Sequence, residues 1–382
     1  MPEGFDALLL SNLAREAAMD AGSDTSGKAG EPPGPTPLLH ICRDDTRLRS
    51  LAGALAFFAG DIEVLKFPAW DCLPYDRVSP NPVVVAARMG TLAELAAVKT
   101  RGEPRPRPRI LLSTVNALLQ RLPARDLVRE NFFEARVGQD VDSSALIEFL
   151  TREGYLRSGQ VSEPGEFAVR GGLIDIFPTA EADPVRLDLF GDRLDAIRIF
   201  DALSQLSTGQ RQHLRLLPAN EFIFDQAGIG RFRKAYHANF GANTDDDPLY
   251  GAVSAGRRHQ GMEHWLPLFH DHMETLFDYL PQPLVTMDFD CEAAIKARFE
   301  LIRDYFEART EARQLKTGLG EVYKPLAPEQ LYLGEDELEG LLAKCRLRQF
   351  SPLKAPPSPR VLEMPARPGR DFAPERQSRS EN

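Results

Sequence analysis

The chain has 382 residues, 43% hydrophobic and 27% charged, enough for two or three domains with buried cores. Fifty-six acidic against 46 basic residues leave a net charge of -10, which excludes a protein that coats nucleic acid through bulk charge. Cys42, Cys72, Cys291 and Cys345 have no C-x-x-C spacing, which excludes a disulfide framework and a cysteine-rich zinc site.

The N-terminus, MPEGFDALLL, lacks the basic flank and long apolar core of a signal peptide. No apolar run approaches the roughly 20 residues that cross a bilayer, so the chain reads as cytoplasmic. Leu8, Leu9, Leu13 and Ala17 predict a helix over 5–19. Residues 22–37 are rich in Gly, Ser and Pro and read as a loop. Residues 37–42 read as a buried strand. Asp44 or Asp45 then caps a helix whose apolar face is Leu48, Leu51, Leu55 and Phe58. A strand at 62–67, a helix at 83–95 and a strand at 109–112 follow, with Ser113 and Thr114 as a helix cap. Strands and helices alternating at these lengths predict a parallel sheet with covering helices.

Near residue 126 the pattern changes. A short helix at 143–153 precedes strands only. Segments 166–170 and 173–177 flank Gly171 and Gly172, a hairpin turn able to take positive φ at both positions. Segments 185–190 and 193–200 flank Gly191 and Asp192. Val185, Leu187 and Leu189 alternate with Arg186, Asp188 and Phe190, giving one apolar face and one largely charged face. From Pro218 the chain becomes mixed and aromatic, with a strand at 284–287 and a long helix at 291–313. That helix carries Ala294, Ala297, Leu301, Tyr305 and Phe306 as its stripe. After Phe350 a Pro-, Arg- and Ser-rich tail reads as flexible.

Three motifs invite a functional reading. GSDTSGK (22–28) matches G-x-x-x-x-G-K, but Ala29 stands where a magnesium-binding Ser or Thr belongs and no strand precedes it. Nucleotide binding is therefore not expected there, and no cofactor is assigned. His264, His270, Asp271 and His272 lack the spacing of a metal site, so no metal is assigned; they read as an exposed polar loop whose neighbours Trp265 and Phe269 face a core. The extended basic loop KTRGEPRPRPR (99–109) is a candidate for a weak DNA contact. In the strand-rich region, Arg157, Arg170 and Arg186 lie near Tyr155, Phe167 and Phe177. Arginine and aromatics are the residue types that dominate protein–protein hot spots.

FPAWDCLPYDRVSP (67–80) with Arg88 resembles the N-terminal region of bacterial transcription-repair coupling factors. So do Gly154-Tyr155, GEFAVRGGLIDIFP (165–178), RLDLF (186–190), IFD (199–201), LPANEF (217–222) and GMEHWLPLF (261–269). The resemblance covers about residues 1–345. It implies an α/β fold: a degenerate nucleotide-fold, UvrB-like domain with a parallel sheet, built from two segments, 1–125 and 219–345. A small α+β antiparallel domain, 126–218, is inserted between them, and 346–382 is left as a flexible tail. It implies that the insert binds the excinuclease component UvrA, without catalysis in this chain. Partner-binding positions fall on Arg157 and Arg170, with Phe167 and Tyr155 beside them, while a third interface arginine is replaced by Ala168. The alternative is the N-terminal part of an ATP-dependent DNA translocase whose motor lies outside this chain. The chain stops short of the polymerase-binding module and motor of that family, so it reads as a fragment or a stand-alone relative.

Overall fold

The computed structural model describes residues 4–23, 37–97, 108–179, 181–222, 224–242, 244, 247–280, 282–314 and 323–364. The apolar runs at 38–42, 109–114 and 284–287 become neighbouring strands of a five-stranded, all-parallel sheet. Its order is Arg346–Gln349, Leu284–Met287, Leu38–Cys42, Arg109–Thr114, Glu63–Phe67. Side chains alternate across such a strand, and both faces are covered. Leu38, Ile110 and Leu112 meet helices Phe5–Ser23 and Asp45–Phe58 on one face. Leu39, Ile41, Leu111 and Val285 meet helices Pro82–Ala96 and Cys291–Gln314 on the other. Asp44 caps the second helix by accepting from the Arg47 amide at 2.7 Å, and Thr114 caps the turn after its strand.

Between the third and fourth strands in chain order the polypeptide leaves to build a second core. A six-stranded sheet runs Ser207–Arg211, Arg193–Phe200, Val185–Phe190, Leu173–Ile176, Glu166–Arg170, Leu156–Arg157. Its apolar face packs on helix Ser143–Arg152 and on a two-stranded antiparallel sheet of Phe133–Arg136 with His213–Leu216. Phe232, Tyr236, Trp265 and Phe269 form a third, aromatic core in the second segment. The architecture is thus mixed α/β, with a parallel sheet and a separate antiparallel sheet.

Several expectations need correction. The tail does not begin at 346: Arg346–Gln349 pairs in parallel with Leu284–Met287, and Phe350 is buried beside it. All four strand side chains are exposed, so the backbone ladder and Phe350 hold the strand, and no apolar alternation betrays it. Only Gly171 takes a left-handed φ (60°); Gly172 is needed because a Cβ there would lie 2.6 Å from the Leu189 carbonyl oxygen. Phe58 is exposed and packs edge-on against Phe57 instead of joining the helix's buried face. In the long helix Cys291 and Ile302 are buried, while Leu301 is only half-buried. His264 and His270 are buried in the aromatic core's 3-10 helix and its C-cap, not in an exposed loop. The GSDTSGK motif lies mostly, and the tail's last 18 residues wholly, outside the described residues.

Candidate functional site: the outer face and edge of the inserted sheet

Strand alternation divides the inserted sheet's residues between two faces. Phe167, Ile174, Ile176, Val185, Leu187 and Leu189 point into the core. Ala168, Arg170, Asp175, Arg186, Asp188 and Arg198 share the other face by register. On that face Arg186 donates to both oxygens of Asp175, at 2.6 and 2.9 Å, and its guanidinium lies 4.9 Å from the Phe200 ring centroid. The Asp175 hydrogen bonds hold the Arg186 guanidinium above the usual arginine range. Arg198 donates to Asp188 at 2.7 Å, and Arg211 is matched to Glu181. These pairs are satisfied within the domain.

Arg157 and Arg170 differ from them. Both are exposed, and neither has a carboxylate within ion-pair distance among the described residues. Arg170 donates to the Gly159 carbonyl at 2.7 Å, which fixes part of its fork. Arg157 sits on the two-residue edge strand, opposite Phe167. Alternation puts the Phe167 and Arg170 rows on opposite faces, so a partner touching both arginines must wrap that edge. Tyr155 and Phe167 are core residues. The Tyr155 hydroxyl donates to the Leu217 carbonyl at 2.8 Å, and burial pushes its ionisation well up. Their rings position the edge strand from beneath and present no surface. Sequence reasoning missed two exposed apolar groups, Leu156 on the edge strand and Phe190, 81% exposed at the hairpin tip. The signal for Phe190 was its place in the charged register of 185–190.

A buried ion pair fastens the insert's exit to the α/β core. Arg88, fully buried on helix Pro82–Ala96, donates to Glu221 at 2.6 and 3.3 Å and to the Pro68 carbonyl at 2.8 Å. Trp70 Nε1 donates to the same Glu221 carboxylate at 3.0 Å, and the Arg88 guanidinium covers the Phe67 ring at 4.4 Å. His270 completes the junction through Nε2 and the Glu221 carbonyl oxygen, 2.8 Å apart.

At the carboxyl end of the parallel sheet, where open α/β folds place ligands, the helix after the first strand opens on acidic groups. Asp44 caps it, Asp45 follows, and Arg47 is held by Asp288 at 2.7 Å and by Asp6. This helix start is occupied by the chain's own carboxylates. No three His, Cys, Asp or Glu side chains among the described residues are placed to hold a metal. Within the basic run, 98–107 lie outside the described residues. Arg109 is buried and paired with Glu63 at 2.7 Å and Glu94 at 3.1 Å, so it offers nothing to phosphate. No described helix is long and apolar enough to cross a membrane.

Residues 133–222 match the UvrB interaction domain family. The chain is 34% identical over 305 residues to the transcription-repair-coupling factor of Haemophilus influenzae, covering 79% of this chain and 25% of that protein. The factor of the same name from Escherichia coli is 33% identical over 279 residues, with 73% and 23% covered. That of Bacillus subtilis is 26% identical over 295 residues, with 73% and 24% covered. The chain therefore spans about a quarter of the length of the curated relatives it matches.

Proposed function

For a chain that carries a UvrB interaction domain and corresponds to the N-terminal region of transcription-repair coupling factors, we propose a docking module that recruits UvrA in transcription-coupled nucleotide excision repair. It binds without catalysis. The observation that carries this reading is the pair Arg157 and Arg170, left unmatched on a sheet where Arg186, Arg198 and Arg211 each hold a carboxylate. Guanidinium forks without an internal carboxylate suit charge-assisted carboxylate contacts on another protein, and the Gly159 carbonyl leaves part of the Arg170 fork free for one. The capped, acidic helix start at Asp44 and Asp45 supports the absence of nucleotide chemistry, because phosphate would meet carboxylates there. Coverage of a quarter of the relatives fits a module that serves a longer ATP-dependent DNA translocase, with the motor outside these residues and the cytoplasm as its place of work.

Pull-down of UvrA by the wild-type chain and by the Arg157→Ala, Arg170→Ala double variant tests the reading. Each truncation should cost on the order of 1.4 kcal/mol, about tenfold in affinity. Exposed strand arginines contribute under about 0.5 kcal/mol to the fold, so the melting temperature should hold. ATP should leave the wild-type result unchanged. Undiminished capture by a folded double variant overturns the proposal.

A further inference from the structure

On one side the parallel sheet ends in Arg346–Gln349, which pairs with Leu284–Met287 and has no strand beyond it among the described residues. The Phe350 amide donates to the Met287 carbonyl at 2.8 Å. Alternation along a parallel ladder therefore turns the backbone groups of Arg346 and Arg348 inward, and the amides and carbonyls of Leu347 and Gln349 outward. An open edge of this kind is a template for one more strand.

The same register sorts the side chains. Arg346 and Arg348 lie on the face that carries Leu38, His40 and Leu284, and Leu347 lies on the face that carries Leu39 and Val285. Both arginines are exposed, and neither guanidinium has a hydrogen bond or ion pair among the described residues. Two positions apart, they are spaced about 7 Å along the strand. Leu347 is 44% exposed, although Val285 beside it is fully buried. The apolar face thus stops one strand short of covering it.

These groups select the occupant. A second copy of this edge would bring the arginines of both copies onto one face, where like charges repel. A nucleic-acid backbone meets the arginines only; it leaves the outward carbonyls and Leu347 unused, and the chain's net charge of -10 opposes it. We propose that the edge takes an extended segment of a partner protein, with acidic side chains at alternate positions against Arg346 and Arg348 and apolar ones between them against Leu347. In such strand addition the backbone bonds give affinity and the alternate side chains give specificity. Charge-assisted bonds to guanidinium forks are the stronger kind. The edge belongs to a different sheet from Arg157 and Arg170, so it does not rest on the docking role of the insert.

A fluorescein-labelled peptide of alternating glutamate and valine is the probe, followed by anisotropy on the full chain. Saturable binding with Kd on the order of 100 μM is expected at low salt, weakening as salt rises. Arg346→Glu with Arg348→Glu should weaken it at least about tenfold and should gain binding to the matching lysine–valine peptide. Both positions are exposed, so the melting temperature should hold; if it falls, Arg346→Gln with Arg348→Gln decides. The same glutamates and valines in two blocks should bind at least about fivefold more weakly, because neighbours along a strand face opposite ways. Arg157→Ala with Arg170→Ala should leave peptide binding unchanged, which separates this edge from the docking surface. Unchanged binding in the charge-reversed variant overturns the site. Equal binding of the blocked peptide overturns strand addition, and tighter binding of an oligothymidylate than of the alternating peptide overturns the choice of a protein partner.

Discussion

Glu221→Ala is expected to destabilise the protein by about 3–5 kcal/mol, the range for removing one partner of a buried ion pair. Arg88 is fully buried and Glu221 is 3% exposed, so water cannot take the carboxylate's place. The truncation would strand the Arg88 guanidinium, leave Trp70 Nε1 without its acceptor and open a void at the junction. Net stabilities are typically about 5–15 kcal/mol, so roughly a fifth or more is at stake. Urea unfolding followed by circular dichroism should show the midpoint fall. The pair's worth lies in matching, so Arg88→Met with Glu221→Leu should recover part of the loss. A midpoint unchanged in Glu221→Ala would show that the junction does not depend on this pair.

Acid should unfold the protein well before its carboxylates are exhausted. Burial holds His40, His264 and His270 at about 4, against the ordinary value near 6.5. Between those values the unfolded chain takes up protons that the folded chain refuses. Stability is then complete above about pH 6.5 and is lost as pH falls toward 4. A tenfold difference in proton affinity is worth about 1.4 kcal/mol, so each histidine removes roughly 2 kcal/mol by about pH 5. Raised carboxyls at Asp45, Glu153 and Glu263 act in the opposite sense and soften the slope. Melting temperature measured from about pH 7.5 down to about 5 should drop steeply. His264→Phe should flatten that slope by about a third, because neither ring nitrogen has a partner to lose. An identical slope in the variant would remove His264 from the account.

Four strands of the parallel sheet were legible because they are short, largely apolar runs between helical periods, a pattern that survives without tertiary context; the fifth, Arg346–Gln349, was not, because its side chains are all exposed. The six strands of the insert's larger sheet were only half legible. Arg157's strand has two residues, and STGQR (207–211) carries no apolar alternation, so partner strands alone specify them. Arg157 and Arg170 were correctly placed in or beside short strands, but charge and aromatic content could not separate surface from support. Tyr155 and Phe167 went under the sheet because apolar area is worth more buried than displayed. Glu221 attracted no notice within LPANEF, since nothing local distinguishes a buried carboxylate from an exposed one. Its partner Arg88 lies 133 residues away.

The central strand of the parallel sheet also sets the order in which the chain can acquire structure. Leu38–Cys42 pairs on one side with Arg109–Thr114 and on the other with Leu284–Met287, and His40 meets Thr286 across 246 positions. The insert closes mostly by hairpins between successive strands, so its contacts are local and quick to form. The sheet must wait for the late strand, with a loop-closure cost that no early contact repays. During synthesis the insert can therefore be complete while the older N-terminal strands still expose an unpaired edge along Leu38–Cys42. The last parallel strands to be made are what protect the first one made.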